Sequence, residues 1–125
     1  MDQAERTRDQ DDEMLHAAHA SRYHWGVVGR PEHRARGEWQ ISRVYTRLGR
    51  GEPALAHAQR CLEICEEHSV GDWDLAYAYE ALARAYRTAG KARPAAKFKQ
   101  LARAAGDRIA DAEDREHFDE DYATL

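Results

Sequence analysis

Apolar positions along most of the chain recur every three or four places, the spacing of one face of an α-helix, and no stretch of alternating apolar and polar residues suggests a strand. The pattern and its breaks predict six helices, at about residues 9–27, 32–48, 52–69, 73–89, 92–106 and 110–121. His16, Ala20, Tyr23 and Val27 mark one face of the first, at i, i+4, i+7 and i+11, with His19 and His24 on its flanks. Ile109, Ala112, Phe118, Tyr122 and Leu125 form the apolar side of the last. Gly49 and Gly90 close two of the helices, because glycine tolerates the left-handed conformation that ends a helix. Pro53 and Pro94 fall in the first turns of the helices that follow, where the missing amide hydrogen costs nothing.

Shifting the chain against itself by 41 positions superimposes "EWQISRVYTRLGRGEPALAHAQRCLEI" on "YEALARAYRTAGKARPAAKFKQLARAA". Tyr45 then falls on Tyr86, Gly49 on Gly90, Pro53 on Pro94 and Ala54 on Ala95. Each copy is a helical hairpin, and self-similarity of this kind marks a stack of repeated units. Extended backwards, the same shift makes the opening stretch the second helix of an incomplete repeat. The domain plan is therefore a charged tail at 1–8 and one helical domain at 9–125. That domain divides into an incomplete repeat at 9–28, repeats at 32–69 and 73–106, and a capping helix at 110–121.

The residues of the two copies resemble the tetratricopeptide repeat (TPR) family. Tyr79, Leu82, Ala83, Tyr86, Gly90, Ala95, Phe98 and Ala102 match its pattern of large and small positions in the later copy. Ile41, Ser42, Tyr45, Gly49, Ala54, Ala58 and Cys61 match it in the earlier one. The period exceeds the family's usual length of about 34 residues by roughly two helical turns, and Glu38 stands where the first large aromatic belongs, with Trp39 one place later. The resemblance covers about residues 36–105. It implies an all-α fold, a right-handed stack of antiparallel helical hairpins, and a concave side lined by the first helix of each pair. The lining positions would be Arg36, Trp39, Arg43 and Arg47, followed by Tyr77, Glu80, Arg84 and Arg87. Guanidinium groups grip carboxylates through paired hydrogen bonds, and Trp or Tyr buries a large area at small entropic cost. Such a lining suits an acidic peptide or protein, or an anionic small ligand; the alternative is an arginine face that is merely solvated.

Charge and composition narrow the classes. At 125 residues the chain has the length of one domain, and its net charge of -4 argues against a general nucleic-acid binder. No run approaches the roughly 18–20 apolar residues of a membrane span, and the charged opening "MDQAERTRDQDDE" is no secretory signal. A cytoplasmic location is expected. Cys61 and Cys65 lie four apart on one helix, unfavourable for an unstrained disulfide, and read as reduced core thiols. Residues 107–125 hold eight acids and two arginines, a solvated cap or an acidic segment able to dock on the arginine face.

The stretch "HAAHASRYHW" carries the strongest competing chemistry. His16 and His19 are three apart on a helix, a spacing that suits two ligands of one divalent transition metal, with His24 a further candidate. The same residues could form an acid/base site in which His16, His19 and Glu80 are the candidate catalytic groups and Trp39 and Arg43 bind substrate. At this helical rhythm, packing on a helix face is the first explanation to exclude. No phosphate loop or nucleophile motif accompanies them, and no cofactor is firmly implied. In the incomplete repeat the Ala17 and Ala20 face lacks its covering helix, so a homodimer closed through the first helix is expected.

Overall fold

The computed structural model describes residues 11, 12, 14, 15, 18, 19 and 30–125. Five helices follow one another there: α1 (Pro31–Arg47), α2 (Gly51–Glu67), α3 (Asp72–Thr88), α4 (Ala92–Gly106) and α5 (Ala112–Tyr122). Their limits fall within two residues of those the apolar pattern predicts. Residues 11, 12, 14, 15, 18 and 19 are also helical, and no strand occurs among the described residues. The rest of the expected first helix, with Ala17, Ala20, His16 and His24, lies outside them, as does the expected tail at 1–8.

α1 pairs with α2 and α3 with α4, α2 packs on α3, and the two leading helices α1 and α3 touch each other. This is the stack of hairpins that the duplication implies. The two hairpin turns match bond for bond. Gly49 and Gly90 have φ of 73° and 78°. Beyond them the amide of Arg50 donates to the Tyr45 carbonyl at 2.9 Å, and that of Lys91 to the Tyr86 carbonyl at 2.9 Å. These are the six-to-one bonds that close a helix on a left-handed glycine.

Small residues set the distance between the layers. Ala54, Ala58, Cys61 and Cys65 of α2 meet Ala78, Ala81, Leu82 and Ala85 of α3 in the main core. Cys61 and Cys65 are free, buried thiols. Cys65 and burial raise the pKa of the Cys61 thiol, and Cys61 in turn lowers that of Cys65. Buried Ser42 ties α1 to α2 by donating from Oγ to the Ala54 carbonyl at 2.8 Å. At the open end of α1, Ile41 and Val44 cover Ala18, with Met14 and Leu15 packed alongside. At the other end Phe118 and Ile109 join Ala76, Tyr77 and Ala102 to seat α5 on α3 and α4. Ala112, expected on the apolar side of the last helix, is exposed, because α5 begins only there and turns its first turn to water. Among the described residues no helix is long and apolar enough to cross a membrane.

Backbone meets backbone most closely at Gly51 among the described glycines. A Cβ there would lie 2.6 Å from both the Cα and the backbone N of Ala89, where α3 ends. Backbone cannot swing aside as a flexible side chain can. Gly51→Ala is therefore expected to destabilise the protein by about 1–3 kcal/mol despite alanine's better helix propensity. Urea unfolding followed by circular dichroism measures this, and a variant at least as stable as the parent would contradict the contact.

Candidate functional site

Helices α1 and α3 present the shared wall on which the recognition residues were expected. At its centre stands Glu80, whose side chain is 1% exposed. Its Oε2 accepts the indole N–H of Trp39 at 2.9 Å, and its Oε1 accepts the Nε–H of Arg84 at 2.9 Å. One carboxylate thus fastens α1 to α3 while using up an arginine four residues along its own helix. Both oxygens are engaged and closed to solvent.

The C-terminal segment takes up the next positions. Arg84 Nη2 donates to Thr124 Oγ1 at 2.6 Å and to the Asp121 backbone carbonyl at 3.2 Å. Arg87 donates to the Thr124 carbonyl at 3.2 Å. Tyr77 donates its hydroxyl hydrogen to Asp121 Oδ2 at 2.6 Å. Burial, the Asp121 bond and that carboxylate's charge push the Tyr77 pKa far above the usual phenol range, so it remains a donor. The acidic end does lie on the arginine wall, yet mostly through backbone oxygens and a threonine. Arg36, farther out, makes a two-point ion pair with Asp74 at 2.8 and 3.1 Å and lies 5.1 Å from the Trp73 ring centre.

Arg43 differs from these three. Its side chain is partly buried, and it makes no hydrogen bond or ion pair among the described residues. Burial pushes its pKa down, and nearby Arg84 pushes it further, with Glu80 opposing. It lines a cleft of about 310 Å³ with Arg47, Trp39, Gln40 and Met14. The arginines of the expected wall are therefore not equivalent. Arg36, Arg84 and Arg87 are matched within the chain and Arg47 is engaged as well, whereas the Arg43 side chain lines the cleft without a hydrogen bond or ion pair among the described residues.

Of the histidines in the opening stretch, His19 lies among the described residues. His19 Nε2 lies 3.3 Å from the Tyr45 hydroxyl, and its ring is 5.5 Å from that of His57. His57 Nδ1 is 2.6 Å from Glu38 Oε2, and Tyr45 stacks on the His57 ring at 5.8 Å. His19 thus joins α1 and α2 through Tyr45 and His57, away from the Glu80 carboxylate. Among the described residues no group of three or more His, Cys, Asp and Glu side chains could hold a metal. His57 and His68, which flank Cys61 and Cys65 in sequence, have separate partners: His57 lies on Glu38 and His68 3.3 Å from an Arg34 nitrogen.

Sequence reasoning missed the other cavity on this wall. About 140 Å³ in volume, it lies among Trp39, Trp73, Tyr77, His117, Asp74 and Asp121. Trp73 precedes Tyr77 by four places, so helical spacing could have added it to the stripe; the carboxylates come together only through the packing of α5. Comparison with known proteins gives one match: a family model described as "Tetratricopeptide repeat" fits residues 29–107. No curated protein and no solved structure matches the chain.

Proposed function

Because the chain belongs to the tetratricopeptide repeat family, whose domains serve as protein-interaction modules, we propose that it binds an acidic segment of a partner protein at the Arg43–Arg47 end of the α1–α3 wall. The observation that carries this reading is the Arg43 guanidinium, half-buried beside Trp39 and without an acceptor among the described residues. A charged donor that has lost part of its hydration gains more from an incoming carboxylate than one fully in water. The like charge of Arg84 adds to that gain, since a carboxylate relieves the repulsion between the two. Trp39 supplies an apolar surface at the same cleft, and its indole is already held by Glu80 and need not be ordered on binding.

The test is a fluorescence anisotropy titration with a labelled peptide rich in Asp and Glu, set against its Asn and Gln counterpart. The acidic peptide binds and the neutral one does not. Arg43→Glu weakens binding by about 10- to 100-fold, the loss of a hydrogen bond to a charged group. The helical circular dichroism signal stays unchanged, because nothing among the described residues depends on the Arg43 side chain as a donor. Equal affinity of parent and Arg43→Glu would overturn the reading.

A further inference from the structure

The cavity at the other end of the wall has the opposite character. Trp39 comes from α1, Trp73 and Tyr77 come from α3, and Tyr77 stands edge-to-face to both indoles, at ring-centre distances of 5.4 and 5.1 Å. An aromatic face carries partial negative charge and attracts a cation within about 6 Å, more strongly when water is excluded, and Trp does so best. Arg36 already uses Trp73 in this way, at 5.1 Å. The charges at the cavity point the same way. Asp74 is matched by Arg36, which leaves the Asp121 carboxylate. Asp121 Oδ2 accepts from Tyr77 and lies 3.8 Å from His117 Nε2, while Oδ1 makes no hydrogen bond among the described residues. A carboxylate oxygen with acceptor capacity beside three aromatic rings is a poor site for an anion or a hydrocarbon, and a good one for a positively charged head.

We propose that this cavity binds an organic ammonium group, the side chain of a lysine or methylated lysine presented by a partner chain. Size favours a side chain over a free small molecule. The volume of about 140 Å³ is below the roughly 300–1,000 Å³ of small-molecule pockets and on the scale of a methylated ammonium head. A peptide lysine also brings carbonyl oxygens, and Trp73 Nε1 is a buried donor with no partner among the described residues. The site does not depend on the acidic segment proposed for Arg43, because Trp39 alone is common to the two clefts and the ligands are of opposite charge.

Nuclear magnetic resonance titration of the full chain reads this directly through the indole N–H signals of Trp39 and Trp73. The probes are N-acetyl-lysine amide, its trimethyllysine form, and an analogue of the latter in which carbon replaces the quaternary nitrogen, all at matched ionic strength. Saturable shifts of both indole signals are expected with one or both charged probes, and at least tenfold weaker binding of the neutral analogue. Asp121→Asn, which keeps an oxygen to accept from Tyr77, weakens the charged probe at least threefold and leaves the neutral analogue unchanged. Trp73→Phe, which retains an aromatic ring with a weaker face, lowers the affinity for the charged probe. Equal binding of charged and neutral probes overturns the proposal, as does the absence of any shift at either indole. Failure of the Arg43 experiment would leave these outcomes untouched.

Discussion

Arg84→Met is expected to destabilise the protein by about 3–5 kcal/mol, the cost of leaving one member of a buried ion pair without the other. Glu80 is 1% exposed and Arg84 7% exposed in their side chains, and their contact at 2.9 Å lies inside the α1–α3 wall. Removing the guanidinium strands a carboxylate whose remaining donor is the Trp39 indole. It also frees Thr124 Oγ1 and the Asp121 carbonyl, which Arg84 gathers at the other end. Glu80→Met is expected to cost a similar amount by stranding the cation and leaving Trp39 without its acceptor. The informative variant is the pair. With both residues replaced by methionine no charge is left buried, and the loss falls well below the sum of the single losses, because a buried pair contributes little net stability beside well-packed apolar residues. Urea denaturation of the four proteins measures the cycle. Additive losses would show that Glu80 and Arg84 act separately.

The same pair shows where sequence reasoning stops. The resemblance put Arg84 in one stripe of α3 with Tyr77 and Glu80, but a helical face says nothing of what another helix brings to it. Trp39 reaches Glu80 from 41 residues away, and Thr124 reaches Arg84 from 40. Those partners depend on how hairpins stack, and the stacking turned an apparently solvated arginine into a buried ion. The hairpins themselves were legible because their determinants are local. Gly49 and Gly90 occupy the left-handed region for the same reason, and Tyr45 and Tyr86 accept the same closing bond. Cys61 stands at a small-residue position of the repeat and is 1% exposed, which the alignment alone suggested.

Reading the site was harder because its ingredients come from different repeats. The histidines drew attention as a cluster in one helix, yet His19 finds its neighbours, Tyr45 and His57, in α1 and α2. Glu38 looked like a flaw in the repeat, an acid where an aromatic belongs; it is buried and held 2.6 Å from His57. A departure from a repeat pattern can mark a specific polar contact, and here it fastens the two helices of the first hairpin. Trp73 and the carboxylate of Asp121 escaped notice for a related reason. Trp73 has no aromatic counterpart at the 41-residue interval, Asp121 lies beyond the second repeat, and the cavity they line forms only when α5 closes over α3.

Phe118→Ala is expected to carry the other large loss, about 3–5 kcal/mol from the transfer of a buried ring and the cavity it leaves. The ring is 0% exposed and meets Tyr77 edge-to-face at 5.1 Å. It sits so close to Gly106 that a Cβ there would lie 2.4 Å from its Cε2. Ile109 is the other fully buried apolar side chain that secures this end of the chain, so without Phe118 the α5 segment loses its main hold on α3 and α4. Amide hydrogen exchange in α5 should rise well above that in α2 and α3, whose alanine-rich contact is untouched. Glu116→Ala, two residues away on the exposed side, should stay within about 0.5 kcal/mol of the parent. Loosening α5 also withdraws Asp121 and Thr124 from Tyr77, Arg84 and Arg87. Two binding measurements should then move in opposite directions: affinity for the acidic peptide rises as guanidinium donors are released, and affinity for the trimethyllysine probe falls as the Asp121 carboxylate leaves the aromatic cavity. Unchanged exchange in α5 would mean that this helix is held by contacts other than Phe118, and parallel changes in the two affinities would mean that the two ends of the wall do not share α5 as their divider.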